Sequence, residues 1–266
     1  MSYVPRILLS LFLTTALARP ATAAEPTAEP AAEQPADVQP TAVELMAAMD
    51  KNLQSESQEA TARMIVNDGR RVREFRMHSV SRGTTDSAVT YLEPEREKGT
   101  KMLKVEGQMW LYLPKAERVQ KISGHMMRQG MMGSDVSYED MMATDDFDEM
   151  YTAEVKGSEE LDGRKQWVLL ATAKDASVAY PKRTIWIDAE HMIPTKQELY
   201  ALSGMLLKTW TMSDIKVIDG QNVPTKMVIA DMLKEGSSTT ILTEALTFDV
   251  PLEDETFSRR WLERKE

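Results

Sequence analysis

The residues able to do chemistry are few and scattered. His78, His125 and His191 lie far apart in the chain, none with a neighbour at metal-ligand spacing, so each is expected to be structural or solvated. Asp145-Asp146 with Asp148-Glu149, and Glu159-Glu160, read as solvated loops; a glycosidase pair would have to be assembled across the fold. Gly133-Ser134-Asp135 lacks the second glycine of a nucleophile elbow. Neither a G-x-G-x-x-G sequence nor a phosphate-binding loop occurs. There is no cysteine, which excludes a disulfide framework, a thiolate metal site, a thiol nucleophile and the acylated cysteine of a lipoprotein. No catalytic residue, metal or cofactor is expected, and the chain reads as a non-enzyme.

The methionines are a different kind of signal. There are nineteen, and Met126, Met127, Met131, Met132, Met141, Met142 and Met150 crowd into one segment. A thioether on an unbranched stem fills irregular apolar space and adapts to variable ligands. Three readings follow: ordinary core filling, an adaptable lining for acyl chains, or a Cu(I) site built from soft sulfur ligands. Against copper, His125 is the one local nitrogen ligand and no second methionine cluster exists. Trp110 and Tyr112 alternate with Leu111 and Leu113, so the pairs face opposite sides of a strand. Trp110, Tyr112, Met126, Met127, Met131, Met132 and Met141 are the candidate ligand-binding residues.

The segment that carries them opens as a strand over Gln108 to Leu113 and breaks at Pro114. It resumes over Arg118 to Ile122 and then enters the methionine loop. Tyr138 to Met142 reads as a short helical turn, capped by Asp135 or Ser137. Before this, Thr41-Ala42-Val43-Glu44 has capping-box spacing, and Ala42, Leu45, Met46, Met49 and Leu53 trace one face of an amphipathic helix. Asn67-Asp68-Gly69, Glu106-Gly107, Leu161-Asp162-Gly163 and Asp219-Gly220-Gln221 punctuate the remainder as turns between short alternating stretches. About eleven strands are expected at spacings of roughly eight to twelve residues. Strands that close in sequence pair antiparallel, which makes the chain mostly β, a barrel or large curved sheet.

At the N-terminus Arg6, the apolar run Ile7 to Leu17 and the small residues Ala21-Thr22-Ala23 form the pattern of a cleavable signal peptide over residues 1–23. Residues 24–40, rich in Ala, Pro and Glu, read as a flexible linker, leaving 41–266 as the folded domain. The formal charge is −10; without Arg6 and Arg19 it is −12, from 30 basic and 42 acidic residues. Such acidity argues against nucleic acid as a partner. A periplasmic, non-lipidated protein is expected.

Trp110-Leu111-Tyr112-Leu113-Pro114, the Arg118 to Ile122 strand, Met132-Gly133-Ser134-Asp135 and Tyr138-Glu139-Asp140 together resemble a pattern of LolA-like proteins. Pro94 and Lys98-Gly99-Thr100 extend the likeness upstream. This is a family of outer-membrane lipoprotein-sorting proteins that often accompany RND-type (MMPL-like) exporters. The resemblance implies a half-open antiparallel β-barrel with helices lidding its concave side. It also implies a hydrophobic cavity for lipid or lipoprotein acyl chains, an inner-membrane RND/MMPL-type transporter as partner, and no enzymatic role. The matched positions are Trp110, Tyr112, Pro114, Gly133, Ser134, Asp135, Tyr138, Glu139 and Asp140, with no binding role carried over for any of them. The chain is longer than the family's lipoprotein chaperone and offers no recognisable match to its cavity arginine, so a phospholipid or hopanoid-type cargo is equally open. Two alternatives stand beside the carrier: an accessory protein docking on such an exporter, and a Met-rich Cu(I)-binding periplasmic protein.

Overall fold

Thr41 and Glu44 close the first turn of a helix reciprocally. The Glu44 amide donates to Thr41 Oγ1 (3.2 Å) and the Thr41 amide to Glu44 Oε2 (2.8 Å), the expected capping box. The helix, α1, spans Ala42–Leu53 and buries Leu45 completely. The computed structural model describes residues 39–53, 55–142, 147–175 and 178–264. The leader and most of the linker expected from sequence lie outside the described residues, as do Asp145 and Asp146. No helix among the described residues is long and apolar enough to cross a membrane.

Thirteen strands follow α1: β1 Ser57–Asp68, β2 Val72–Arg82, β3 Asp86–Glu93, β4 Lys101–Val105, β5 Gln108–Leu113, β6 Arg118–Ile122, β7 Tyr151–Leu161, β8 Arg164–Ala173, β9 Lys182–Asp188, β10 Pro194–Tyr200, β11 Leu206–Ile218, β12 Gln221–Asp231 and β13 Ser237–Phe248. They form one open antiparallel sheet in the order β6-β5-β4-β3-β2-β1-β13-β12-β11-β10-β9-β8-β7. Each neighbour is the next strand in sequence, except where β1 pairs along its length with β13. The count exceeds the expected eleven by two. Glu106-Gly107, Asp162-Gly163 and Asp219-Gly220 each hold two consecutive residues at positive φ, the two-residue reversal that matches strand twist. So many twisted strands curl rather than lie flat, and α1 contacts both β7 and β12, which stand well apart in the sheet. The result is a half-open barrel with β6 and β7 at its edges.

Cross-strand partners show what each face buries. On the concave face Met64 opposes Phe75, Met77 opposes Tyr91, Val89 opposes Met102, Met102 opposes Leu111, and Met109 opposes Ile122. The same face continues through Ile229, Trp210, Gln197, Ile185 and Leu169. There α1 covers it, Leu45 packing with Trp167, Leu169, Ile185 and Ile187. On the convex face Val80, Ala88, Leu103 and Trp110 are successive partners. They are covered by the C-terminal end, a 3-10 turn at Asp254–Phe257 and helix α4, Arg259–Glu263, which contribute Phe257 and Leu262.

Candidate functional site

Strand β5 is apolar on both sides because each side has a separate cover. Met109 and Leu111 point into the concave cluster. Trp110 and Tyr112 point the other way, packed with Phe257 and Leu262. Lys101, the cross-strand partner of Tyr112, donates to the Arg264 carbonyl at 2.9 Å and so pins the C-terminal end over them. The structure therefore separates the expected ligand-binding set: Trp110 and Tyr112 lie under the C-terminal cover, across the sheet from the methionines. Tyr112 and Pro114 border a cavity of about 400 Å³ on that side, together with Lys98 and Gly99.

The methionines do come together. Between the edge strands β6 and β7 the chain makes 3-10 turns at Gly124–Arg128 and Met131–Gly133, then the short helices α2 (Tyr138–Met142) and α3 (Phe147–Met150). As far as Met142 this segment lies on the concave face of β1–β6, while α3 packs beside β7. Met131 and Tyr138 are buried in the core of that face, and Met126, Met127, Met132, Met141 and Met142 pack against that core while only partly buried. The Gln120 amide donates to Met126 Sδ at 3.1 Å. Backbone geometry makes the segment tight. Gly130 and Ser137 form a β-bridge, and a Cβ on Gly130 would fall 1.9 Å from the Ser134 carbonyl oxygen. The Ser134 hydroxyl bonds across the turn to the Val136 carbonyl (3.2 Å). Ser137 caps α2: the Asp140 amide donates to Ser137 Oγ (3.1 Å) and the Ser137 amide to Asp140 Oδ2 (2.7 Å).

Three polar anchors fasten this lid to the sheet. The first is Asp135, 3 % exposed, whose carboxylate accepts from Ser237 Oγ (2.5 Å) and Thr239 Oγ1 (2.9 Å) on β13 while its amide donates to Thr239 Oγ1 (2.9 Å). The second is Asp140, whose carboxylate pairs with Lys208 Nζ of β11 (2.6 Å) and accepts from the Tyr180 hydroxyl (2.6 Å). Burial first, and the Asp140 charge second, hold the Tyr180 phenol above its ordinary range, so it stays a donor. The third is Arg73 of β2, which donates to the carbonyls of Met132 (2.8 Å) and Gly133 (3.2 Å). These contacts account for Gly133, Ser134, Asp135, Tyr138 and Asp140 of the sequence motif as the parts that shape and fasten the lid.

Arg73, Lys208 and Tyr180 were not singled out by the sequence, although two of them leave a trace. Arg73 has the same strand parity as Phe75 and Met77, and Lys208 the same as Trp210, so both cations had to face inward. Arg183 is a third inward cation, in step with Ile185 and Ile187, its guanidinium 4.8 Å from the Tyr151 ring and 5.5 Å from that of Tyr180. Of the histidines, His78 pairs with Glu59 on the surface (2.7 Å), His191 belongs to the β9–β10 turn beside Asp188, and His125 is exposed. No group of three or more His, Asp or Glu placed to hold a metal ion occurs among the described residues.

Beside the second anchor lies a cavity of about 670 Å³. Ser137 and Glu139 of the lid, Tyr180 and Lys208 form one wall, and Val178, Ala179, Leu202, Leu207 and Leu233 supply the apolar remainder. Its size falls within the range of about 300–1,000 Å³ typical of small-molecule sites.

Among curated proteins none matches the chain. A family model described as that of an uncharacterized protein matches residues 83–264. Solved structures resemble the whole domain. A DUF1329 family protein from Desulfovibrio piger is 28 % identical with a TM-score of 0.77, the match covering 82 % of this chain and 96 % of that one. An outer membrane lipoprotein-sorting protein domain from Vibrio parahaemolyticus is 25 % identical with a TM-score of 0.71, covering 82 % and 98 %. A LolA superfamily protein from Nitrosomonas europaea shares the fold at 24 % identity and a TM-score of 0.70, covering 84 % and 100 %. With a family model spanning more than half its length and this fold in common, the chain belongs to the LolA-like family.

Proposed function

We propose that the protein is a periplasmic, non-enzymatic carrier that binds the acyl chains of a lipid or lipoprotein on its concave face and moves them toward the outer membrane. Residues 1–23 would export it and 24–40 would tether the domain. An RND/MMPL-type inner-membrane transporter would be its partner. One observation carries this reading: five methionines of an anchored lid meet the apolar concave face while remaining only partly buried. Such side chains can re-pack around a guest. Each methylene transferred from water contributes about 0.8 kcal/mol, so a long chain would outweigh the loss of one or two lid contacts. Kinship with an outer membrane lipoprotein-sorting protein domain supports the cargo class. Met126, Met127, Met131, Met132 and Met141 would be the contact residues, with Trp110 and Tyr112 acting through the strand they share with Leu111.

Native mass spectrometry of the purified chain, followed by titration of the delipidated protein with a fluorescent fatty acid, tests this reading. Co-purified lipid and saturable binding at one site are expected. A chain that carries no lipid and binds no fatty acid rules the carrier out.

A further inference from the structure

Seven large apolar side chains are exposed among the described residues, and four of them share one place. Leu202 (85 % exposed) and Met205 (51 %) form the β10–β11 turn, while Met232 (51 %) and Leu233 (61 %) form the β12–β13 turn. The other three, Val43, Val72 and Val217, are smaller and stand apart in the chain. The two turns are neighbours: β11 pairs with β12 up to Lys208 opposite Asp231, and the Met232 amide donates to the Leu207 carbonyl at 2.9 Å. Hairpin tips favour Gly, Asn, Asp and Ser; bulky aliphatic groups gathered there mark a contact surface. Leu202 and Leu233 also line the 670 Å³ cavity, whose far wall is the lid with Ser137 and Glu139. The apolar tips, the cavity and the Lys208–Asp140–Tyr180 anchor are therefore continuous, and exposed Arg128 lines the same cavity.

We propose that these two tips are a membrane-contacting portal: they insert Leu202, Met205, Met232 and Leu233 into a bilayer surface, and a lipid acyl chain enters the cavity between them, its polar head left at Arg128. This rests on the carrier reading above and specifies where cargo is collected. The occupant is a bilayer lipid because two of the aliphatic groups, Leu202 and Leu233, line a cavity sized for a chain while Met205 and Met232 stand exposed on the same two turns. The chain entering there meets the groups that fasten α2, so loading and release of the lid act at one place.

The test uses the full delipidated chain and a fluorescent fatty acid presented two ways, as monomer in solution and within phosphatidylcholine vesicles. In the variant Met205→Ser/Met232→Ser both replaced side chains are exposed and neither lines the cavity, and an unchanged melting temperature verifies its fold. Its uptake from vesicles is expected to slow at least about tenfold, the change given by losing one methionine side chain's burial in the bilayer. Its affinity for monomeric fatty acid stays within about twofold. A second variant, Ala201→Trp, fills the cavity and weakens monomer binding. Uptake from vesicles at the parent rate in the double variant overturns the portal, as does unchanged monomer binding by Ala201→Trp. If the parent chain binds no fatty acid in either form, the carrier reading itself has failed.

Discussion

Lys208 Nζ lies 2.6 Å from the Asp140 carboxylate, with the two side chains 12 % and 1 % exposed. This ion pair joins the lid helix α2 to β11 in the other half of the sheet. Breaking one partner of such a pair leaves an uncompensated buried charge, at a cost of about 3–5 kcal/mol. Lys208→Met is therefore expected to destabilise the protein by roughly that amount. Lys208→Met combined with Asp140→Asn is expected to recover a large part of the loss, because no charge is left stranded. Urea unfolding of the two variants measures the difference. Equal losses in the single and double variants would show that the pair contributes nothing as a pair.

Gly130 is fixed by contact, since any Cβ there meets the Ser134 carbonyl oxygen at 1.9 Å. Gly130→Ala must separate the Gly130–Ser137 bridge and with it the turn that presents Asp135. A loss of about 1–3 kcal/mol is expected, the usual cost of overpacking. Amide exchange should quicken from Met131 to Met142 and remain unchanged in β8 and β9. Uniform acceleration through the whole sheet would argue against a locally anchored lid.

The sheet was legible in the sequence because period-two alternation and X-Gly turns are local signals, each complete within a few residues. The capping box at Thr41 was legible for the same reason, and of the two cap candidates for α2 it is Ser137 that caps it, Asp135 being bound to β13. The anchors were not, since Asp135 meets Ser237 and Thr239 about a hundred residues away and Asp140 meets Lys208. Alternation placed Trp110 and Leu111 on opposite faces, yet nothing in β5 itself says which face the methionines cover. That was decided by the C-terminal end, where Phe257 and Leu262 occupy the Trp110 side. Composition located the methionine cluster, whereas Arg73, though in step with Phe75 and Met77, was not singled out, and its partners, the Met132 and Gly133 carbonyls, are visible only in the fold.

Asp188, 1 % exposed, gives the stability of the β9–β10 turn a pH dependence. Burial raises the pKa of its carboxyl, but the amide and ring of His191 (2.7 and 2.9 Å), Arg164 (3.0 Å) and the Glu190 amide (3.1 Å) outweigh it, and the net effect is a pKa below the ordinary aspartate value. A carboxyl with a lowered folded-state pKa contributes stability that is complete above its unfolded pKa and is lost as pH falls through the folded one. Melting temperature is therefore expected to drop below about pH 4. Asp188→Asn should be destabilised at neutral pH and show a shallower acid decline. A decline of equal steepness in the variant would assign the acid sensitivity to other carboxylates.

The graded burial of the methionines offers a direct reading of where a guest sits. Met131 is 4 % exposed, whereas Met126, Met127, Met132, Met141 and Met142 are only partly buried against the same core. Peroxide converts an accessible thioether to a polar sulfoxide, so those five should oxidise ahead of Met131 in the delipidated chain, as resolved by peptide mass spectrometry. Saturation with a fatty acid should then protect Met126, Met127, Met132 and Met141 selectively and leave exposed Met205 and Met232 oxidising at their former rate in solution. Presentation of the same fatty acid in vesicles should protect Met205 and Met232 as well, because the tips would then lie in the bilayer. Protection of none of the lid methionines at saturation would move the guest away from the concave face, whatever its affinity.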